Sequence, residues 1–130
     1  PPMSATLPAP RVTQHHGIYL SALHDAGGTV VAVNGELDAA SIPVFTTYAK
    51  EHANAGNRLT VDLSKLKFFA VEGYSAIQEL RSHCNRSGTT WMLVAGPAVH
   101  RVLNICDPNR RPLAVRSLQL VPQPAERARQ

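Results

Sequence analysis

The segment LTVDLSKLKFFAVEGYSAIQEL, residues 59–80, decides how this chain is read, because its hydrophobic period changes partway along. Over residues 58–63 (RLTVDL), Leu59, Val61 and Leu63 alternate with other residues, which is strand spacing. Over residues 72 to about 86 the inward positions become Gly73, Ile77, Leu80 and Cys84, at i, i+4, i+7 and i+11, which is one face of a helix. Gly88 follows as a stop, since glycine accepts the left-handed conformation that closes many helices. A strand that feeds a helix is the unit from which α/β sheets are built.

Neighbouring stretches continue the pattern. Upstream, residues 17–24 (GIYLSALH) and 29–33 (TVVAV) read as two strands, joined by Asp25-Ala26-Gly27-Gly28 as a hairpin turn. After Asn34-Gly35-Glu36-Leu37-Asp38, a helix is expected over residues 41 to about 55. Ile42, Phe45 and Ala49 form its stripe, Ser41 its cap, Pro43 its first turn, and Asn54 and Gly56 its end. Downstream, residues 89–95 (TTWMLVA) are nearly continuously apolar, as a strand covered on both faces would be. Gly96-Pro97 opens a third helix with Val99, Val102, Leu103 and Cys106 inward, and Asp107-Pro108 ends it. A last strand is expected over residues 113–121, where Leu118 and Leu120 alternate with Ser117 and Gln119. The order is β-β-α-β-α-β-α-β without an internal repeat, an α/β arrangement with some parallel pairs.

The 130 residues suit one domain, and 44% hydrophobic against 17% charged residues exclude a disordered chain. The expected organisation is a flexible N-terminal segment over 1–14, a folded domain over 15–121 and a flexible tail over 122–130, because both ends are rich in proline or polar residues. No apolar run approaches the ~20 residues of a membrane span. No secretory pattern opens the chain, and two cysteines make no disulfide framework, so a cytoplasmic protein with reduced thiols is expected. Net charge is +4, yet the basic residues are scattered and aromatics reach only 5%, which argues against a nucleic-acid platform.

Catalytic patterns are missing: there is no Gly-x-Ser-x-Gly elbow, no Gly-x-Gly-x-x-Gly, no Walker lysine and no His-Glu-x-x-His. His83, Cys84 and Cys106 lack the spacing of a metal cluster, and both cysteines fall on inward stripes, so buried inert thiols are expected and neither metal nor cofactor. The chain does not read as an enzyme.

Two segments carry a resemblance. VAVNGELDAAS, residues 31–41, resembles the strand, Gly-x-Leu-Asp turn and helix start of STAS domains, the family of bacterial anti-sigma factor antagonists. Residues 59–80 are similar to that family's central strand with Asp-Leu-Ser, its switch loop and the helix beyond; the likeness runs over roughly residues 17–121. The resemblance implies a STAS-like fold, a mixed sheet with helices on one side, and a role in binding partner proteins without a cofactor. In the antagonists the switch loop carries Asp-Ser-Ser/Thr-Gly, and an anti-sigma kinase phosphorylates the first hydroxyl residue. Those places here read Ala70, Val71, Glu72 and Gly73, and valine has no hydroxyl to accept a phosphate.

The implied docking surface joins Gly35, Glu36, Leu37, Asp38 and Ser41 with Ala70, Val71, Glu72, Gly73 and Tyr74. Two readings stay open for Glu72: a permanent carboxylate imitating a phosphate at a helix N-terminus, or a capping acid worth ~0.3–1 kcal/mol. Asp38 and Glu36 serve either a turn or a partner contact. Of Phe68 and Phe69, one should face the core and the other solvent; Lys65 and Lys67 form a solvated edge. Arg101, Arg110, Arg111 and Arg116 make the C-terminal third the most basic part. Ser64, Ser75 and Ser87 are phosphoacceptors by residue type alone. The functional expectation is a regulator that binds an anti-sigma factor or related protein kinase, or other STAS proteins or itself. The alternative is a STAS-type sensor of a nucleotide or lipid, or a scaffold.

Overall fold

The computed structural model describes residues 11–15, 17–109 and 115–116. Its elements run β1 (Arg11–His15), β2 (Ile18–Asp25), β3 (Gly28–Leu37), α1 (Ile42–Lys50), β4 (Arg58–Leu63), β5 (Leu66–Phe69), α2 (Gly73–Ser87), β6 (Thr90–Ala95), α3 (Pro97–Cys106) and β7 (Val115–Arg116). They form one mixed sheet in the order β1-β2-β3-β4-β6-β7, with β5 also pairing β3. β1, β2 and β3 are antiparallel in turn. β3 is parallel to β4 and to β5, and β4, β6 and β7 continue in parallel. The β2–β3 hairpin closes where Asp25 Oδ1 accepts from the N–H groups of Gly27 and Gly28, at 2.8 and 2.9 Å, an Asx turn.

Alternation along the strands sets the layers. Ile18, Leu20, Val31, Val33, Leu59, Val61, Leu63, Trp91, Leu93 and Ala95 are buried on one face. They pack with Phe45 and Ala49 of α1, Ile77, Leu80 and Cys84 of α2, and Val99, Val102 and Leu103 of α3. Each large member of this cluster contributes ~1.5–3 kcal/mol through burial. Val30, Ala32, Thr60, Asp62, Met92 and Val94, on the opposite face, are only half-buried. The helices therefore cover one side of the sheet. No helix among the described residues is long and apolar enough to cross a membrane.

Several expectations need revision. β1 and β5 were not anticipated; β1, at Arg11–His15, precedes the first strand expected, at residue 17. β3 runs on through Leu37, making Gly35 to Leu37 strand rather than turn. α1 stops at Lys50, because the chain then tightens into i→i+3 bonds, His52 N–H to Ala49 O (3.0 Å) and Ala53 N–H to Lys50 O (3.2 Å). β6 is buried on one face, at Trp91, Leu93 and Ala95, while Met92 and Val94 on the other are half-buried. In the last expected strand only Val115–Arg116 is described as strand; residues 117–121 lie outside the described residues. α2 and α3 stand where expected, with Gly88 at φ +74 closing α2.

Candidate functional site

β3 and β5 are parallel neighbours, with Leu37 in register with Phe69, and the Ala70 N–H donates to the Leu37 carbonyl at 2.9 Å. The turns that follow the two strands therefore leave the same end of the sheet side by side.

The first turn is built by Asp38 and Ser41. The Ser41 hydroxyl accepts from the Asp38 N–H (3.0 Å) and donates to Asp38 Oδ1 (3.0 Å), which also accepts from the Ser41 N–H (3.1 Å). The hydroxyl and then the N–H of Ser41 hold the Asp38 carboxyl below its ordinary range. Ser41 sits at the N-cap of α1 without a side-chain capping bond, since its oxygen is engaged with Asp38 instead. It is fully buried, while Ala39 and Ala40 at the tip are exposed. Ahead of the turn, Gly35 adopts φ +104, and a Cβ there would stand 2.4 Å from the Gly17 carbonyl oxygen, so glycine is required.

The second turn leads straight into α2 through i→i+3 bonds, Gly73 N–H to Ala70 O (2.8 Å) and Tyr74 N–H to Val71 O (3.0 Å). Val71 is 54% exposed at its tip. Glu72 is exposed at the N-cap of α2, and its side chain makes no capping hydrogen bond, so the capping reading reduces to charge near a helix N-terminus. Gly73 is buried for a steric reason: a Cβ there would lie 2.3 Å from Phe69 Cζ and 2.5 Å from Cε1. Tyr74 donates its hydroxyl to Asp107 Oδ2 (3.2 Å) and accepts from Gln78 Nε2 (3.1 Å), which ties the first turn of α2 to the end of α3. Burial, followed by the Asp107 carboxylate, pushes that hydroxyl's pKa up.

A bulge orients β5. Gly35 pairs with Leu66 and Glu36 with Phe68, so Lys67 is the extra residue and the side-chain parity flips across it. Leu66 and Phe69 both turn inward, whereas Phe68 is 42% exposed beside Glu36. The expectation of one phenylalanine in and one out holds: the pleat separates the two, and the bulge sets Phe69 rather than Phe68 inward.

Of the ten residues assigned to the surface, Glu36, Val71 and Glu72 are exposed, and Gly35, Asp38 and Tyr74 are half-buried. Leu37, Ser41, Ala70 and Gly73 are buried and support the turns from within. Ala39 and Ala40 lie within the 31–41 segment that carries the resemblance, whereas Asp107, read in the sequence only as the end of the third helix, is brought to the second turn by its bond to Tyr74. Elsewhere, Cys84 is buried as expected and burial pushes its thiol pKa up, but Cys106 is only half-buried. Lys65, Lys67 and Arg101 are exposed, Arg110 and Arg111 lie outside the described residues, and no three metal-ligating side chains group together among those described.

Comparison with known proteins agrees with this architecture. The family model for the STAS domain matches residues 9–116. Osmosensory protein A of Mycobacterium tuberculosis is 32% identical over 94 residues, which are 72% of this chain and 60% of that protein. This chain thus spans less than two thirds of that relative's length. A crystal structure of an anti-sigma factor antagonist from Mycobacterium paratuberculosis has the same fold, with a TM-score of 0.60 and 23% identity over 68% of this chain and 76% of that one. The match over residues 9–116, the mixed sheet and the paired turns together place this chain in the STAS domain family.

Proposed function

We propose that this chain is a protein-binding regulator resembling anti-sigma factor antagonists, which controls sigma-factor availability by occupying an anti-sigma factor or a related protein kinase. The observation that carries the reading is the Ala70–Leu37 bond of 2.9 Å, because it fixes two solvent-facing turns into one continuous patch. Glu36, Phe68, Ala39, Ala40, Val71 and Glu72 supply the accessible side chains. Docking there needs little rearrangement, since the turns are held by Asp38–Ser41 at one side and Tyr74–Asp107 at the other.

Release by phosphorylation at position 71 is chemically closed, because Val71 offers no hydroxyl. Binding in the cytoplasm would then be governed by abundance or by another input. The test is titration calorimetry against a purified anti-sigma kinase, with and without ATP. Submicromolar binding that ATP leaves unchanged is expected, with no phosphate found at residue 71 by mass spectrometry. No detectable binding to the kinase at micromolar concentrations, or phosphate found at residue 71, would overturn the reading.

A further inference from the structure

At the end of α1 remote from the docking turns, two imidazoles meet. The rings of His24 on β2 and His52, two residues past α1, have centroids 5.3 Å apart and are tilted by 49°. Tyr48 packs edge-on against His52, with centroids 5.0 Å apart. We propose that His24 and His52 form an acid-responsive latch: while neutral they hold the last turn of α1 against the β2–β3 hairpin, and double protonation drives that turn away.

The geometry determines which side moves. His24 Nδ1 lies 2.8 Å from the hydroxyl of Thr29, a buried residue on β3, and a protonated His24 donates to that oxygen. Charging His24 therefore keeps it on the hairpin, and the repulsion falls on His52. That residue lies past the end of α1, in single i→i+3 turns outside the helical ladder, so less backbone structure resists its displacement. Two positive rings at this separation repel appreciably even in partly solvated surroundings.

The remaining charged neighbours do not cancel this. Burial first, and His24 second, hold the His52 imidazole below its ordinary 6.5, while Glu51 at the helix end acts in the opposite direction. On the hairpin, the Asp25 carboxylate is held at the turn by the N–H groups of Gly27 and Gly28, and the Arg58 guanidinium from β4, beside Gly27, sets a positive charge near it. A lowered folded pKa means that stability is complete above 6.5 and falls as pH drops through the folded value. α1 begins at Ser41's turn, so the latch acts on the helix that continues out of the docking surface. The inference holds whichever partner uses that surface.

The experiment is an NMR titration of the full chain from pH 8 to 5, following the His52 imidazole and the amides of residues 47–51. In the wild type these amides should move in step with the protonation of His52. In His24→Gln, His52 should titrate at a higher pH and the amide movement should largely vanish; His52→Gln should abolish it without disturbing the hairpin. An unchanged His52 midpoint in His24→Gln, or amides that stay fixed through the wild-type titration, would overturn the latch.

Discussion

Gly73→Ala places a methyl group inside the ring of Phe69, and the structure gives the size of the effect. The new Cβ would stand 2.3, 2.5 and 2.9 Å from three ring carbons, where ordinary carbon contacts lie at ~3.5–4.0 Å. Phe69 is 1% exposed, so its ring has no empty space to enter, and the overlap must be relieved by shifting β5 against α2. Overpacking of this kind costs ~1–3 kcal/mol. Gly73 is the first residue of α2 and its φ is not positive, so alanine is itself acceptable to the backbone and returns a few tenths of a kcal/mol through helix propensity, up to ~1 in a helix interior. The net expectation is a loss of ~1–2 kcal/mol, or roughly 4–10 °C in Tm. Urea unfolding followed by the fluorescence of the buried Trp91 would measure it. The decisive control is the double-mutant cycle with Phe69→Leu, in which the alanine should cost close to nothing. If Gly73→Ala were as stable as wild type, or cost the same with leucine at 69, the glycine would not be held by the ring.

Further outcomes follow from the same geometry. Because Ser41 lowers the Asp38 carboxyl pKa, the stability that pair supplies is complete above the ordinary 3.8 and lost as pH falls through the folded value. Asp38→Ala should therefore flatten the acid end of a pH–stability curve measured by thermal melts, and a curve parallel to wild type would refute the pair's role. Val71→Ser, at an exposed turn tip, should leave Tm unchanged and create a position that an anti-sigma kinase can phosphorylate, read as an added phosphate by mass spectrometry. In the native protein, thiol labelling should modify half-buried Cys106 well before Cys84, whose thiol burial keeps both covered and protonated.

The parts of the fold legible in the sequence are those where local pattern and tertiary packing agree. α2 carries a clean inward stripe from Gly73 to Cys84 and a glycine that ends it in the left-handed region, so both its face and its end could be read. β4 alternates strictly because one of its faces is buried and the other partly open. β5 was hidden because the bulge at Lys67 breaks the period of two, so LKFF reads as a loop with two aromatics. β1 was hidden because RVTQH is mostly polar and pairs at the sheet's edge through its backbone. The neighbouring turns were legible only through the family resemblance, since their contact depends on the parallel pairing of strands almost thirty residues apart. Within the site, the pattern could not separate Glu36, Val71 and Glu72, which face outward, from Leu37, Ser41, Ala70 and Gly73, which support them.

The central claim is that two adjoining turns at one end of the sheet form the surface through which this STAS domain acts. It is tested most directly by NMR mapping of the isotope-labelled chain on addition of an unlabelled anti-sigma kinase. Amide shifts concentrated at Glu36, Ala39, Ala40, Phe68, Val71 and Glu72 are expected. Shifts confined to the outer faces of α1 and α2, with those residues unmoved, would contradict it.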